Sequence, residues 1–417
     1  MSKPRFFYTL ALYLLVPFIP LRLLWRGRKQ PAYLQHWRER FGWYAAAPQT
    51  PLIWIHAVSV GETRACVPLI AALQARYPEH KILLTHMTPT GRETGLTLFG
   101  TRVQQSYLPY DLPGAVQRFL NHFKPTFGLI METELWPNLI ATCQQRHIPL
   151  ALINARLSER SARGYARLAS LTSEALNKLT LICAQTTADA ERLTQLGAQN
   201  IAITGNLKFD VVPPPTNDQL RTLWPAARAV MLAASTRDGE EALLLDALAA
   251  AHPPQLLVIV PRHPQRFDSV ASLLTTRNIP FQRRSENAPL RAETQVVLGD
   301  SMGEMFAYYG AADVAIIGGS LLPFGGQNLI EACALGVPVI LGPHTHNFAQ
   351  AAQDAIDAGA ALRVSDAHEA LTQAQFLLQN HEQRNQMSAA ALNFASTHRG
   401  AVDKTMALIK EKLFKTA

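Results

Sequence analysis

The chain has 417 residues, 48% of them apolar and 17% charged, with a formal net charge of +8. This composition excludes an intrinsically disordered chain, and the length suits two domains of roughly 150–200 residues better than one core. The positive balance points either to an anionic partner (nucleic acid, an acidic membrane surface, a phosphorylated substrate) or to a solvated basic surface.

The first element is the apolar run from Phe6 to Leu21. Lys3 and Arg5 precede it, and Arg22, Arg26, Arg28 and Lys29 follow. Its length falls between an interfacial helix and a full span, and Pro17 and Pro20 are expected to kink or end it. Leu23-Leu24-Trp25-Arg26 follows where a signal peptide needs small residues for cleavage. The expectation is therefore an uncleaved anchor or a membrane-surface helix over residues 1–30, with everything after the basic cluster on the cytoplasmic side. Trp25, Trp37 and Trp43 suit an anionic interface.

From Pro51 short apolar runs alternate with amphipathic stretches: Leu52 to Ile55, Lys81 to Thr85, Val103 to Leu108, Phe127 to Met131, Leu150 to Asn154, Leu179 to Ala184 and Ile201 to Thr204. Continuous aliphatic runs between helices predict a parallel sheet covered on both faces. The segment Val211 to Asp218, with three consecutive prolines, reads as a linker. Alternation then resumes at Ala229 to Ala234, Leu256 to Val260, Gln295 to Leu298, Val314 to Ile317 and Val337 to Leu341, and a helical stretch from about Glu382 ends the chain. The expected organisation is an anchor (1–30), one α/β domain (31–211), a second (212–395) and a C-terminal helix (396–417). Ligands of such sheets bind beyond the carboxyl ends of the strands, so two facing domains are expected to share a cleft.

Chemistry-bearing residues gather at those strand ends. Ser59-Val60-Gly61-Glu62 follows the first strand, and Glu62 reads two ways: as a general base, or as a first-turn acid complementing the helix dipole. Met131-Glu132-Thr133-Glu134-Leu135-Trp136-Pro137-Asn138 ends a later strand, and helix capping accounts for only one of its two acids. Arg156, then Arg160, Arg163 and Arg167, form either an anion site or a solvated helix face. In the second half, Pro261-Arg262-His263-Pro264 follows a strand directly and aims two basic side chains outward. Gly318-Gly319-Ser320 and Gly325-Gly326-Gln327-Asn328 bring backbone N–H groups within reach of a phosphate, and Glu331 shares a helix face with Asn328. Together these read as nucleotide binding. There is no GxxxxGK[ST] P-loop and no GxGxxG after an opening strand. The four cysteines lack a CxxC pair and the thirteen histidines lack HExxH, so the thiols read as reduced core residues and no metal site or cofactor is expected.

Over nearly its whole length the sequence is similar to the 3-deoxy-D-manno-octulosonic acid (Kdo) transferases of lipopolysaccharide biosynthesis. The resemblance rests on HAVSVGE (56–62), MTPTGRE (87–93), LPYDLPGAV (108–116), METELWPN (131–138), NARLSERSARGY (154–165), TGNLKFD (204–210), PRHPQRF (261–267), GDSMGEM (299–305) and the long segment from Gly318 to Phe348. It implies a GT-B glycosyltransferase fold, two Rossmann-like domains facing a cleft behind an N-terminal membrane-association helix. It implies transfer of Kdo from CMP-Kdo to the distal glucosamine 6′-hydroxyl of a lipid A precursor, inverting and without metal, at the cytoplasmic face of an inner membrane.

Carried over position by position, the resemblance makes Glu62 the base. Glu132, Glu134, Arg156 and Lys208 position acceptor or sugar. Arg262, His263, the Ser320 loop, Asn328 and Glu331 hold CMP, and Gly303, Glu304 and Met305 line the cytosine. The chain departs from the family pattern at Arg237 (Ser-Thr-His-x-Gly-Glu elsewhere) and Gln327 (Gly-Gly-His-Asn elsewhere). Three rival readings have weaker footing. A GT-B epimerase does not need the basic apolar N-terminus. An idle membrane-bound binding protein does not need three acids at strand ends. A nucleic-acid binder lacks any aromatic-basic motif here, so no nucleic-acid partner is expected.

Overall fold

The computed structural model describes residues 2–45, 51–211, 213, 219–224, 228–251 and 255–414. Most of the proline-rich segment at 211–218 lies outside the described residues. The chain divides into two units, Met1–Asp210 with Arg399–Ala417, and Val211–His398.

The first unit holds a seven-stranded sheet of β1 (Leu52–His56), β2 (Lys81–His86), β3 (Gln104–Tyr107), β4 (Phe127–Met131), β5 (Leu150–Ala155), β6 (Leu181–Ala184) and β7 (Ile201–Ile203). Its order is β3-β2-β1-β4-β5-β6-β7 and the paired strands run parallel, so the winding reverses between β1 and β4. Every residue of β1, β4 and β5 is buried, as a sheet covered on both faces requires. Ile53 and Ile55 join one apolar cluster with helix Val67–Arg76 and the final helix Ala401–Lys412. Leu52 and Trp54 point to the other face, against helices Pro113–Phe123 and Pro137–Gln145.

The second unit repeats the architecture with β8 (Val230–Thr236), β9 (Leu256–Pro261), β10 (Phe281–Arg283), β11 (Val296–Leu298), β12 (Val314–Ile317), β13 (Val339–Leu341) and β14 (Ala361–Arg363), ordered β10-β11-β9-β8-β12-β13-β14 and again parallel.

The C-terminal stretch, expected as one element, is two helices. His381–Thr397 belongs to the second unit, and Gly400, at φ +97°, ends that run before Ala401–Lys412 returns to the first. The Asp210 carboxylate holds the return, accepting from the Gly400 and Val402 N–H groups at 2.6 and 2.5 Å.

At the N-terminus the apolar run is two helices, Lys3–Leu15 and Phe18–Lys29, bent by 56° at the break that carries Pro17. No single helix among the described residues is long and apolar enough to cross a membrane. The first helix turns Arg5 and Thr9 inward and leaves Phe6, Phe7, Leu10 and Leu14 about half exposed or more.

Candidate functional site

In each unit the chemistry-bearing residues collect at the carboxyl edge of the sheet. In the first, the loops after β1 and β4 flank the point where the winding reverses, where α/β sheets open a crevice. Ser59 caps helix Val60–Ala65 by accepting from the Glu62 N–H, and Glu62 answers with its side chain. Its Oε2 accepts from Val58 N–H at 2.7 Å and its Oε1 from the Ser59 hydroxyl at 2.9 Å. Glu62 is only 8% exposed. Burial, and then the charges of Glu132 and Glu134, push its carboxyl up to about 7, against the pull of those two hydrogen bonds. Glu62 therefore caps its own turn, and its raised carboxyl can exchange a proton near neutral pH.

Glu132 sits immediately after β4 with φ +56°, a left-handed conformation that costs a non-glycine residue about 1 kcal/mol or more. Asn154 and Ser235, also next to strand ends, are left-handed too, at φ +52° and +59°. The Lys208 ammonium lies 3.3 Å from Glu132 Oε1, both largely shielded from solvent. Burial and the Glu132 charge raise the Glu134 carboxyl above its ordinary range. The Thr133 hydroxyl donates to the Arg156 carbonyl, and the Tyr165 hydroxyl donates to the Thr133 carbonyl at 2.8 Å, which ties the Arg156 loop to the acid loop. Glu62, Glu132, Glu134, Lys208 and the Arg156 backbone thus come together. Arg160, Arg163 and Arg167 lie on the exposed side of the following helix and turn.

In the second unit, Arg262 Nε donates to Gln327 Oε1 at 3.2 Å, and Arg237 Nη1 stands 3.3 Å from His263 Nε2. Arg237 also lies over the Phe324 ring, 4.8 Å from its centroid. Burial, then Arg237, Arg262 and Arg266, hold His263 below its usual range, so it is neutral at pH 7. Arg266 is neutralised by a two-pronged pair with Glu241, at 2.6 and 3.0 Å, and by Asp238 at 3.1 Å. The two positions where the sequence departs from the family pattern, Arg237 and Gln327, thus stand beside Arg262 and His263. Gly319, at φ +70°, has Gln327 and Arg237 so close that a Cβ would lie 3.1 Å from the Gln327 amide nitrogen.

A second group surrounds Asn328. Its Nδ2 donates to Glu331 Oε1 at 3.0 Å and its carbonyl accepts from the Tyr309 hydroxyl at 3.3 Å. Tyr309 belongs to helix Met305–Ala311, whose start carries Gly303, Glu304 and Met305. Glu304 pairs with Arg284 at 3.1 Å, and Met305 Sδ lies 4.0 Å from the Ser235 hydroxyl.

The Ser320 side chain serves the sheet. It is fully buried; its hydroxyl donates to the Ile317 carbonyl and accepts from the Gly342 N–H at 2.8 Å. It fastens the ends of β12 and β13 and has no proton to offer a ligand. Sequence reasoning also missed Glu240, fully buried, which accepts backbone N–H groups from Arg237, Gly319 and Leu321 at 2.8, 2.6 and 3.0 Å. The acid in Ser235-Thr236-Arg237-Asp238-Gly239-Glu240 was its only signal. All four cysteines are buried thiols. Among the described residues no three His, Cys, Asp or Glu side chains converge as metal ligands.

Residues 35–211 match the family model described as 3-deoxy-D-manno-octulosonic-acid transferase (kdotransferase), and residues 242–394 match glycosyl transferases group 1. A 3-deoxy-D-manno-octulosonic acid transferase of Bordetella pertussis is 45% identical over 97% of this chain and 99% of that one. One from Haemophilus influenzae is 41% identical over 98% and 99%. The chain belongs to the Kdo transferase family. It is a glycosyltransferase that transfers Kdo, as the resemblance implied. A UDP-GlcNAc 2-epimerase of Neisseria meningitidis bound to UDP-GlcNAc is 16% identical, covering 86% of the Kdo transferase and 99% of that chain with a TM-score of 0.59. That likeness concerns the fold alone, two parallel-sheet α/β domains of GT-B type.

Proposed function

We propose that this Kdo transferase moves Kdo from CMP-Kdo to the 6′-hydroxyl of the distal glucosamine of a lipid A precursor, with inversion and without metal. The observation that carries the reading is Glu62, a buried carboxylate pushed to about 7 beside two further acids at the sheet's switch point. In this reading Glu62 takes the proton of the acceptor hydroxyl while the hydroxyl oxygen bonds to the anomeric carbon of Kdo. The bond from that carbon to the CMP phosphate oxygen breaks, and CMP leaves with the electron pair. Attack opposite the leaving group inverts the centre. Glu132, Glu134, Arg156 and Lys208 orient acceptor or sugar. Arg262 meets the growing phosphate charge with His263 as a neutral donor beside it, and Arg237 and Gln327 join them. Asn328 and Glu331 take the ribose side, and Gly303, Glu304 and Met305 the cytosine. The Ser320 loop shapes the wall of this site, since its hydroxyl and the Gly319 and Leu321 N–H groups are already bound.

The N-terminal pair belongs, in this reading, on the cytoplasmic face of the inner membrane. Its first helix turns polar side chains toward the protein and apolar ones outward, the reverse of a helix covering a soluble core. Arg22, Arg26 and Arg28 follow on the next helix, suited to anionic headgroups.

The test is a transfer assay with CMP-Kdo and an acylated disaccharide lipid A precursor, comparing wild type with Glu62→Ala and resolving products by mass. Product from the wild type only, with CMP binding intact in the variant, supports both activity and base. Loss of CMP binding in the variant removes Glu62 from that role.

A further inference from the structure

Helix Pro137–Gln145 begins three residues after Glu134, and its cap is unusual. Trp136 at the N-cap position makes no side-chain capping bond. The N–H groups of Asn138 and Leu139 would be left without partners in a buried place. Asp111, 2% exposed and 27 residues away, takes both: its Oδ2 accepts from Asn138 N–H at 2.9 Å and its Oδ1 from Leu139 N–H at 2.8 Å. Asn138 returns a bond through its Nδ2 to the Asp111 carbonyl at 2.7 Å. The N-terminal helix closes the network. The Tyr8 hydroxyl donates to Asp111 Oδ2 at 3.0 Å and the Thr9 hydroxyl to Asn138 Oδ1 at 3.1 Å. Arg5 pairs with Glu174 on the neighbouring helix at 3.8 Å, which fixes the rotation of the N-terminal helix about its axis. Glu132 and Glu134 therefore hang between the end of β4 and a helix start held by Asp111, and Asp111 is itself held by the helix that presents the apolar face.

We propose that Asp111 is a positioning residue that holds the acid loop in register with the N-terminal helix through Tyr8, so that seating this helix on lipid steadies Glu132 and Glu134 for the acceptor. The proposal rests on the acceptor role given above to those acids. It explains why a helix with an outward apolar face carries a tyrosine and a threonine on its inner side, where simple packing needs only aliphatic residues.

The test uses the full chain with acceptor presented in anionic phospholipid vesicles. Asp111→Asn sets an amide N–H against a helix N–H and risks misfolding. Tyr8→Phe removes one hydroxyl and keeps the test readable. Expected for Tyr8→Phe is an acceptor KM raised roughly tenfold, the worth of one hydrogen bond to a carboxylate. The donor KM, kcat and vesicle flotation stay at wild-type values. Amide exchange at Asn138 and Leu139 is faster in the lipid-bound protein. Unchanged acceptor KM and exchange, or a loss explained by failed flotation, overturns the proposal. Glu132→Gln, measured alongside, separates the two readings. If it is fully active, the role of that acid falls, while exchange at Asn138 and Leu139 still decides whether Tyr8 and Asp111 hold the loop.

Discussion

The Lys208 ammonium lies 3.3 Å from the Glu132 carboxylate, a pair drawn from positions 76 residues apart. It joins the loop after β4 to the short turn Leu207–Asp210 that follows β7. Asn154 fixes that turn, accepting from Leu207 N–H at 3.0 Å. A left-handed Glu132 persists because these contacts over-determine it. Lys208→Met is expected to lower kcat/KM for transfer about tenfold or more, and to change little when Glu132 is already Gln. A double-mutant cycle on transfer rates checks this, since additive losses would mean the two side chains act independently.

The raised carboxyl of Glu62 predicts the pH profile. With Glu62 as the proposed base, active only when deprotonated, kcat/KM is expected to fall on the acid side of about 7 and reach a plateau above it. Glu132 is the largest charge raising this group, so Glu132→Gln removes a repulsion from the carboxylate form and moves the acid limb to lower pH. A limb that stays in place would detach Glu132 from the base. The measurement is kcat/KM against pH from 5 to 9 at constant ionic strength.

Central strands were legible because residues such as Ile53, Leu129 and Val258 are buried from both faces and must be aliphatic in an unbroken run. β10 and β14 were not. They are three-residue edge strands, Phe281–Arg283 and Ala361–Arg363, each ending in an arginine, and short charged edges read as loop. The acids showed because carboxylates at the mouths of buried strands are conspicuous. Which of them meet was hidden, since Glu62, Glu132 and Lys208 are joined only by the order of β1, β4, β5, β6 and β7. Asp111 was invisible for the same reason, its partners lying at Tyr8 and Asn138. That the Ser320 hydroxyl is spent between the ends of β12 and β13 was likewise hidden, since its partners Ile317 and Gly342 meet only through the pairing of those strands.

Glu240 is expected to be structural. Its carboxylate lies among backbone N–H donors from Arg237, Gly319 and Leu321 and joins the loops after β8 and β12. Glu240→Gln places an amide N–H among those donors, and a destabilisation of about 3 kcal/mol follows from the lost charge-assisted bonds. Urea denaturation should show the transition of the second unit at lower midpoint, with the first unit's unchanged. A midpoint shift in neither transition would mean the loop is held by packing alone.

The cationic group in the second unit carries the final prediction. Arg266 is already matched by Glu241 and Asp238, so truncating it is expected to lower stability more than CMP affinity. Arg262 and Arg237 converge on His263 and Gln327 instead, and a phosphate there would receive their charge directly. Arg262→Ala is expected to weaken CMP binding by about 2 kcal/mol, roughly thirtyfold in Kd, with Arg237→Ala following in the same direction. His263 is held neutral, so affinity should show no histidine step between pH 7 and 8. If these side chains supply the charge that the departing phosphate needs, transfer persists in excess EDTA. Calorimetry with CMP and a chelated transfer assay check both halves. Activity lost to EDTA and restored by magnesium would mean that the arginines share that task with a metal ion, and unchanged CMP affinity in Arg262→Ala would place the phosphate elsewhere.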